Sequence, residues 1–143
     1  MKFARVLEDI HRAIHRQWIV DGARLGISHS EFEYLRAIKD REGEKVCGDG
    51  HGQHLQDVVA AMGIRKASAS AMIVKLEKRG LVERVPCRMD ARAQHILLTE
   101  KGMEFLQLGE GIYEAAAGAL RSEFMDRKLE GHVDTIPPET RNS

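Results

Sequence analysis

The chain has 143 residues, 43% of them hydrophobic and 31% charged, with 22 basic and 22 acidic side chains and a formal net charge of zero. That length fits one compact core with helical extensions, in an ordinary globular balance. No apolar run approaches the roughly 20 residues that span a bilayer. The charged start (Arg5, Glu8, Asp9) does not read as a signal peptide, and two cysteines are too few for a disulfide framework. The expected location is therefore the cytoplasm, with no membrane partner.

Phe3, Val6, Leu7, Ile10, Ile14 and Trp18 recur at helical spacing. They predict a first helix to about Val20, with a break at Gly22 to Gly26. Ser28 with Glu31 three residues later reads as a capping box. It opens a second helix that runs to about Asp40 and buries Phe32, Leu35 and Ile38. The glycine-rich, polar stretch Gly43 to Gly52 reads as a loop. A third helix covers about His54 to Met62, with Leu55, Val58 and Val59 facing inward, and Gly63 ends it. The fourth starts near Lys66 and ends at Gly80, burying Ala69, Met72, Ile73 and Leu76. Leu81 to Val85 and His95 to Leu98 read as short strands around a turn at Pro86 to Arg92. Thr99 then caps a long last helix with Phe105, Leu106, Leu108, Ile112, Tyr113, Ala116, Leu120 and Phe124 at helical period. Residues 131–143 are expected to be a disordered tail.

The order helix, short turn, helix over Leu55 to Gly80 is a helix-turn-helix arrangement, whose second helix enters a major groove about 12 Å wide. The open face of that helix carries Lys66, Ala67, Ser68, Ser70, Ala71, Val74, Lys75 and Lys78. Small and hydroxyl side chains near its start let the backbone approach base edges. Lys75, Lys78 and Arg79 follow further along, placed for phosphates. The hairpin after it, with Arg84, Arg88 and Arg92, reads as a wing, because arginine suits a narrow, negative minor groove. Asp90 is expected to hold Arg92 or its neighbours through a charge-assisted hydrogen bond. The neutral total hides an asymmetry that fits this reading. Residues 53–102 carry nine basic and five acidic side chains, whereas residues 103–143 carry four and eight. A phosphate backbone meets the local patch, not the pI.

These residues resemble those of the MarR (multiple antibiotic resistance regulator) family. Met62-Gly63-Ile64-Arg65-Lys66-Ala67-Ser68-Ala69-Ser70 and Leu76-Glu77-Lys78-Arg79-Gly80-Leu81-Val82-Glu83-Arg84 are similar to its recognition helix and first wing strand. Asp90-Ala91-Arg92 and Leu98-Thr99-Glu100-Lys101-Gly102 are similar to its D-x-R wing and its L-T-x-x-G entry into the dimerisation helix.

The resemblance implies a mainly α winged helix-turn-helix in a single domain over residues 1–130. The winged lobe would occupy residues 28–98, with dimerisation helices at 1–20 and 99–128. It implies a homodimer on a pseudo-palindromic double-stranded operator, a repressor released by a small effector. Arg65, Lys66, Ser68, Ser70, Lys75, Lys78, Arg88, Asp90 and Arg92 are the DNA-binding candidates. Three departures are visible: Ala71 stands where many relatives carry a larger polar or basic side chain, the Gly43–Gly52 loop is long, and the segment after Phe124 lacks a clear final amphipathic helix.

No cofactor is required on this reading, although zinc is conceivable. His11 and His15 lie four apart on the first helix, and Cys47, His51 and His54 cluster near the glycine-rich loop. Cys87, beside Arg88 in the wing, is an exposed-thiol candidate for redox sensing, and Cys47, near Lys45, is the other. An organic effector would find His15, Trp18 and Phe32. No H-E-x-x-H, G-x-S-x-G, P-loop or dinucleotide fingerprint occurs, so an enzyme is not expected. The rival reading is a winged helix used for protein contact or non-specific DNA binding.

Overall fold

The computed structural model describes residues 2–42, 53–90 and 92–128. The expected loop at Gly43 to Gly52 and the expected tail at 131–143 lie outside the described residues. The chain divides into two compact units, residues 27–109 and residues 1–26 with 110–143.

In the unit 27–109, Ser28 opens α3 (His29–Arg41) with the expected capping box. Its hydroxyl accepts from the Glu31 N–H at 3.1 Å, and the Glu31 carboxylate accepts from the Ser28 N–H at 3.1 Å. Two N–H groups that a helix start leaves unpaired are thereby satisfied. Phe32, Leu35 and Ile38 are buried as their spacing predicts. α4 (Leu55–Met62) ends where Gly63 turns left-handed at φ 63°, a conformation that a side chain disfavours. α5 (Lys66–Lys78) buries Ala69, Ile73 and Leu76. Met72 and Val59, expected in the core, are only half-buried.

β2 (Val82–Pro86) and β3 (Gln94–Leu98) pair antiparallel, with Val85 opposite His95 and Pro86 opposite Gln94. The expected hairpin is therefore present, but the sheet has a third strand. β1 (Gln53–His54) pairs with β3, so the order is β1-β3-β2. The sequence assigned His54 to a helix; it belongs instead to a two-residue strand, and the helix starts at Leu55. Such a strand is too short to show any alternation.

The last helix, α6 (Glu100–Lys128), starts against the end of α5. The Thr99 hydroxyl accepts from the Gly102 N–H at 3.0 Å and donates to the Gly80 carbonyl at 2.6 Å. Gly102 is where the two segments meet: a Cβ there would stand 2.0 Å from the Leu81 carbonyl oxygen. Further along α6, a Cβ on Gly109 would stand 2.1 Å from the Phe32 ring.

In the other unit, α1 (Phe3–Gln17) passes through one π-helical turn at Trp18–Gly22 into α2 (Ala23–Leu25). The break expected at Gly22 does not occur. Gly22 is buried inside the helical run, and the stop is Gly26, left-handed at φ 76°. The wide turn re-phases the helix without breaking its hydrogen bonding. Trp18 packs edge-on against Tyr113, with ring centroids 5.8 Å apart. Val6, Trp18, Ile112 and Ala116 are buried, whereas Phe3, Leu7, Ile19, Val20 and Met125 are exposed. No helix among the described residues is long and apolar enough to cross a membrane.

Candidate nucleic-acid interface

The start of α5 carries no side-chain cap, and Arg65, its N-cap residue, is extended at φ −74°, ψ 138°. The first bond across the cap runs from the Ala69 N–H to the Arg65 carbonyl, 3.1 Å. The preceding N–H groups therefore project beyond the helix end, where the helix dipole also favours an anion. Arg65, Ala67, Ser68, Ala71, Val74, Lys75 and Lys78 are exposed, and Ser70 is half-buried. The side chain of Lys66 lies outside the described residues. The face that the sequence assigned to solvent is thus the open face, and its small residues sit at its N-terminal end.

The wing tip is built by Asp90. Its carboxylate accepts from the Arg92 N–H at 2.9 Å, and the Ala93 N–H donates to the Asp90 carbonyl at 3.1 Å. The Cys87 N–H donates to the Ala93 carbonyl at 3.1 Å and closes the loop below them. Arg88, Asp90 and Arg92 are exposed. Asp90 holds the backbone at Arg92, whose side chain is exposed.

Two other arginines are engaged elsewhere. Arg79, expected to reach phosphates, ion-pairs with buried Glu31 and lies over the Phe105 ring, 5.2 Å from its centroid. Arg84, expected in the wing, pairs with Glu77 of α5 at 3.1 Å. Arg79 is drawn to a buried carboxylate, whereas Arg84 meets an exposed one at the surface. Burial pushes the Glu31 carboxyl up, but hydrogen bonds from Arg79 and from the Ser28 N–H and hydroxyl outweigh it, so its pKa lies below the ordinary carboxylate value.

The metal and effector candidates are dispersed. His11 and His15 stack with ring centroids 6.3 Å apart on an exposed face. Cys47 and His51 lie outside the described residues. His54 meets Cys87 and His95, with donor atoms all within 4.8 Å of one another. Cys87 is buried, not exposed as the wing position suggested. It turns inward at the end of β2, toward His95 on the same sheet face. The sequence missed His95, and β1, the strand that would have pointed to it, is too short to read. His15 is exposed, while Trp18 and Phe32 are core side chains of different units. A concavity of about 380 Å³ in the unit 27–109 is lined by residues that include Tyr34, Met62, Ser68 and Met72.

Comparison with known proteins gives a consistent result. A family model described as MarR family matches residues 25–93. The transcriptional repressor MprA of Escherichia coli (strain K12) is 33% identical over 82 residues, 57% of this chain. That match spans only 43% of the repressor's own length. The S. aureus MepR–DNA complex superposes with a TM-score of 0.66 at 16% identity, covering 95% of this chain and 99% of that one. AbsC, a MarR family transcriptional regulator from Streptomyces coelicolor, gives 0.61 at 24% identity, covering 85% of this chain and 76% of that one. At those identities the structural likeness establishes the fold.

Proposed function

We propose that the chain is a regulator of the MarR family, whose model matches residues 25–93, and that it is a sequence-specific, DNA-binding transcriptional regulator that works as a homodimer. The observation that carries this reading is the pairing, within one unit, of an open α5 N-terminus with an arginine-bearing turn. Ser68 and Ser70 read base edges, Arg65 and Lys66 lie at the helix start, and Lys75 and Lys78 meet phosphates. Arg88 and Arg92 enter the minor groove, with Asp90 holding the turn. A relative that is a repressor and a fold neighbour solved with DNA support the same reading.

Dimerisation is supported by the exposed apolar side chains of the unit that holds both chain ends. Phe3 and Leu7 share one face of α1 and are 42% and 51% exposed, and Met125 is 60% exposed. Apolar side chains left in water on two terminal helices are what a second copy would cover.

The regulator acts as a repressor that a small effector releases, and DNA binding itself needs no cofactor. Ser68 lies on the open face of α5 and also lines the concavity with Tyr34 and Met72. A ligand seated there competes directly with base contact. His15, Trp18 and Phe32 are the other effector candidates.

Selection of bound duplexes from a randomised pool, with purified untagged protein, tests the reading. The expected product is an inverted repeat with half-sites about one helical turn apart. Salt-dependent binding without sequence enrichment would instead favour non-specific binding. No binding at low salt would leave the winged lobe as a protein-contact module.

A further inference from the structure

β1 and β3 place His54 directly opposite His95. Val85 of β2 faces His95 from the other side. Side chains two apart on an extended segment share a face, so Cys87, two residues past Val85, comes to the same side as both imidazoles. The rings of His54 and His95 lie 4.3 Å apart between centroids. His95 is fully buried, Cys87 is 5% exposed, and the His54 side chain is 14% exposed. A nitrogen of each ring and the Cys87 sulfur lie within 4.8 Å of one another.

The orientation of His54 adds a second observation. Its Nε2 is buried and has no hydrogen-bond partner. Its Nδ1 faces the Asp57 carboxylate at 3.9 Å, and the same carboxylate accepts from the His54 N–H at 2.8 Å. At 3.9 Å the carboxylate makes no hydrogen bond to the ring, and the inward, unpartnered Nε2 is the atom that a bound ion would take up.

We propose that His54, Cys87 and His95 form a binding site for a borderline-soft divalent cation of the zinc class at the root of the wing. One thiolate and two imidazoles suit such an ion, and three protein donors leave a fourth position for water or another ligand. Ideal tetrahedral donors stand roughly 3.3–3.6 Å apart, so the widest pair closes by about an ångström on binding. The metal–sulfur bond forms as the Cys87 S–H bond breaks, and the proton passes to solvent. Bound metal would tie β1, the end of β2 and β3 together directly below the turn that carries Asp90 and Arg92. An effect on DNA affinity rests on the function proposed above; metal binding does not.

The test is titration of reduced, tag-free full-length protein with cobalt(II), then displacement by zinc. A thiolate-to-cobalt charge-transfer band that saturates at stoichiometric metal, persists in Cys47→Ser, and is lost in Cys87→Ser and weakened in His54→Ala is expected. Thermal unfolding is expected to shift upward with zinc in the parent and in Cys47→Ser. Absence of the band in the parent, its loss in Cys47→Ser, or its survival in Cys87→Ser overturns the proposal. Should Cys87→Ser fail to fold, Cys47→Ser and His54→Ala decide, because a band lost in the first or unchanged in the second is equally fatal.

Discussion

Arg79, the C-cap of α5, donates its guanidinium to Glu31, the capping-box acid of α3, 48 residues earlier in the chain. One carboxylate thus closes the start of one helix and holds the end of another. Glu31→Gln keeps an acceptor for the Ser28 N–H but removes the charge that Arg79 meets. It should cost about 1.5–3 kcal/mol, the range for a hydrogen bond to a charged group, toward the lower end because Arg79 is partly screened by solvent. Urea unfolding checks it, and an unchanged midpoint would remove the pair as a source of stability.

The same pair sets a pH dependence. The Glu31 pKa is lower in the folded chain than its ordinary 4.5. Its contribution is therefore complete above that ordinary value and is lost as pH falls through the lower folded value. The stability gap between the parent and Glu31→Gln should be constant near neutrality and shrink once the pH drops below 4.5. A gap that widened in acid would contradict the direction assigned here.

Asp90 and Arg92 should separate in their effects on DNA. Arg92→Ala removes the group that enters the groove and should weaken the selected operator by about 1–3 kcal/mol. Asp90→Ala keeps the guanidinium but loosens the turn that presents it, so a smaller loss is expected. Fluorescence anisotropy at fixed salt measures both. An Arg92→Ala variant that binds the operator like the parent would show that the wing makes no contact.

Lys75 and Arg79 lie four residues apart near the end of α5, yet they should behave oppositely. Lys75 is exposed, so Lys75→Ala should weaken all duplexes alike and flatten the salt slope by about one unit. Arg79→Ala should lower stability and leave the slope unchanged, because its charge is already committed to Glu31. Salt titrations of both variants at constant folded fraction check the contrast.

The glycines of α6 make a paired test. Gly102→Ala drives a Cβ to 2.0 Å from a backbone oxygen that cannot easily retreat. A loss of about 1–3 kcal/mol is expected, as for overpacking a filled site. Gly111→Ala meets nothing within 4 Å and should be neutral or stabilising by up to about 1 kcal/mol, through helix propensity alone. Thermal unfolding of the two variants reads the difference.

The helices of the winged lobe were legible because their signals are local. Ser28 and Glu31 cap, Gly63 stops, and Phe32, Leu35, Ile38, Ala69, Ile73 and Leu76 repeat at helical period. Gly22 misled because a glycine alone does not break a helix; Gly26, the true stop, differs only in adopting positive φ. Arg79 and Arg84 misled for a different reason. A basic side chain near a recognition helix looks the same in sequence whether it faces phosphate or carboxylate. What decides is Glu31 for one and Glu77 for the other, and the partner of Arg79 is 48 residues away. His54, Cys87 and His95 were scattered in sequence for the same reason, since only the β1·β3 register brings them together.

The three carbonyls that follow α5, those of Arg79, Gly80 and Leu81, are taken up by Thr99 and Lys101 at the start of α6. Lys101 donates to the Arg79 carbonyl at 3.0 Å, the Thr99 hydroxyl to that of Gly80, and the Thr99 N–H to that of Leu81 at 3.1 Å. With Gly102 pressed against Leu81, this junction has no slack. It behaves as a weld rather than a hinge: α5 and the first turn of α6 must rotate as a single rod. Any signal that re-aims α5 without unfolding it therefore has to bend the chain somewhere other than where residues 79–81 meet residues 99–102.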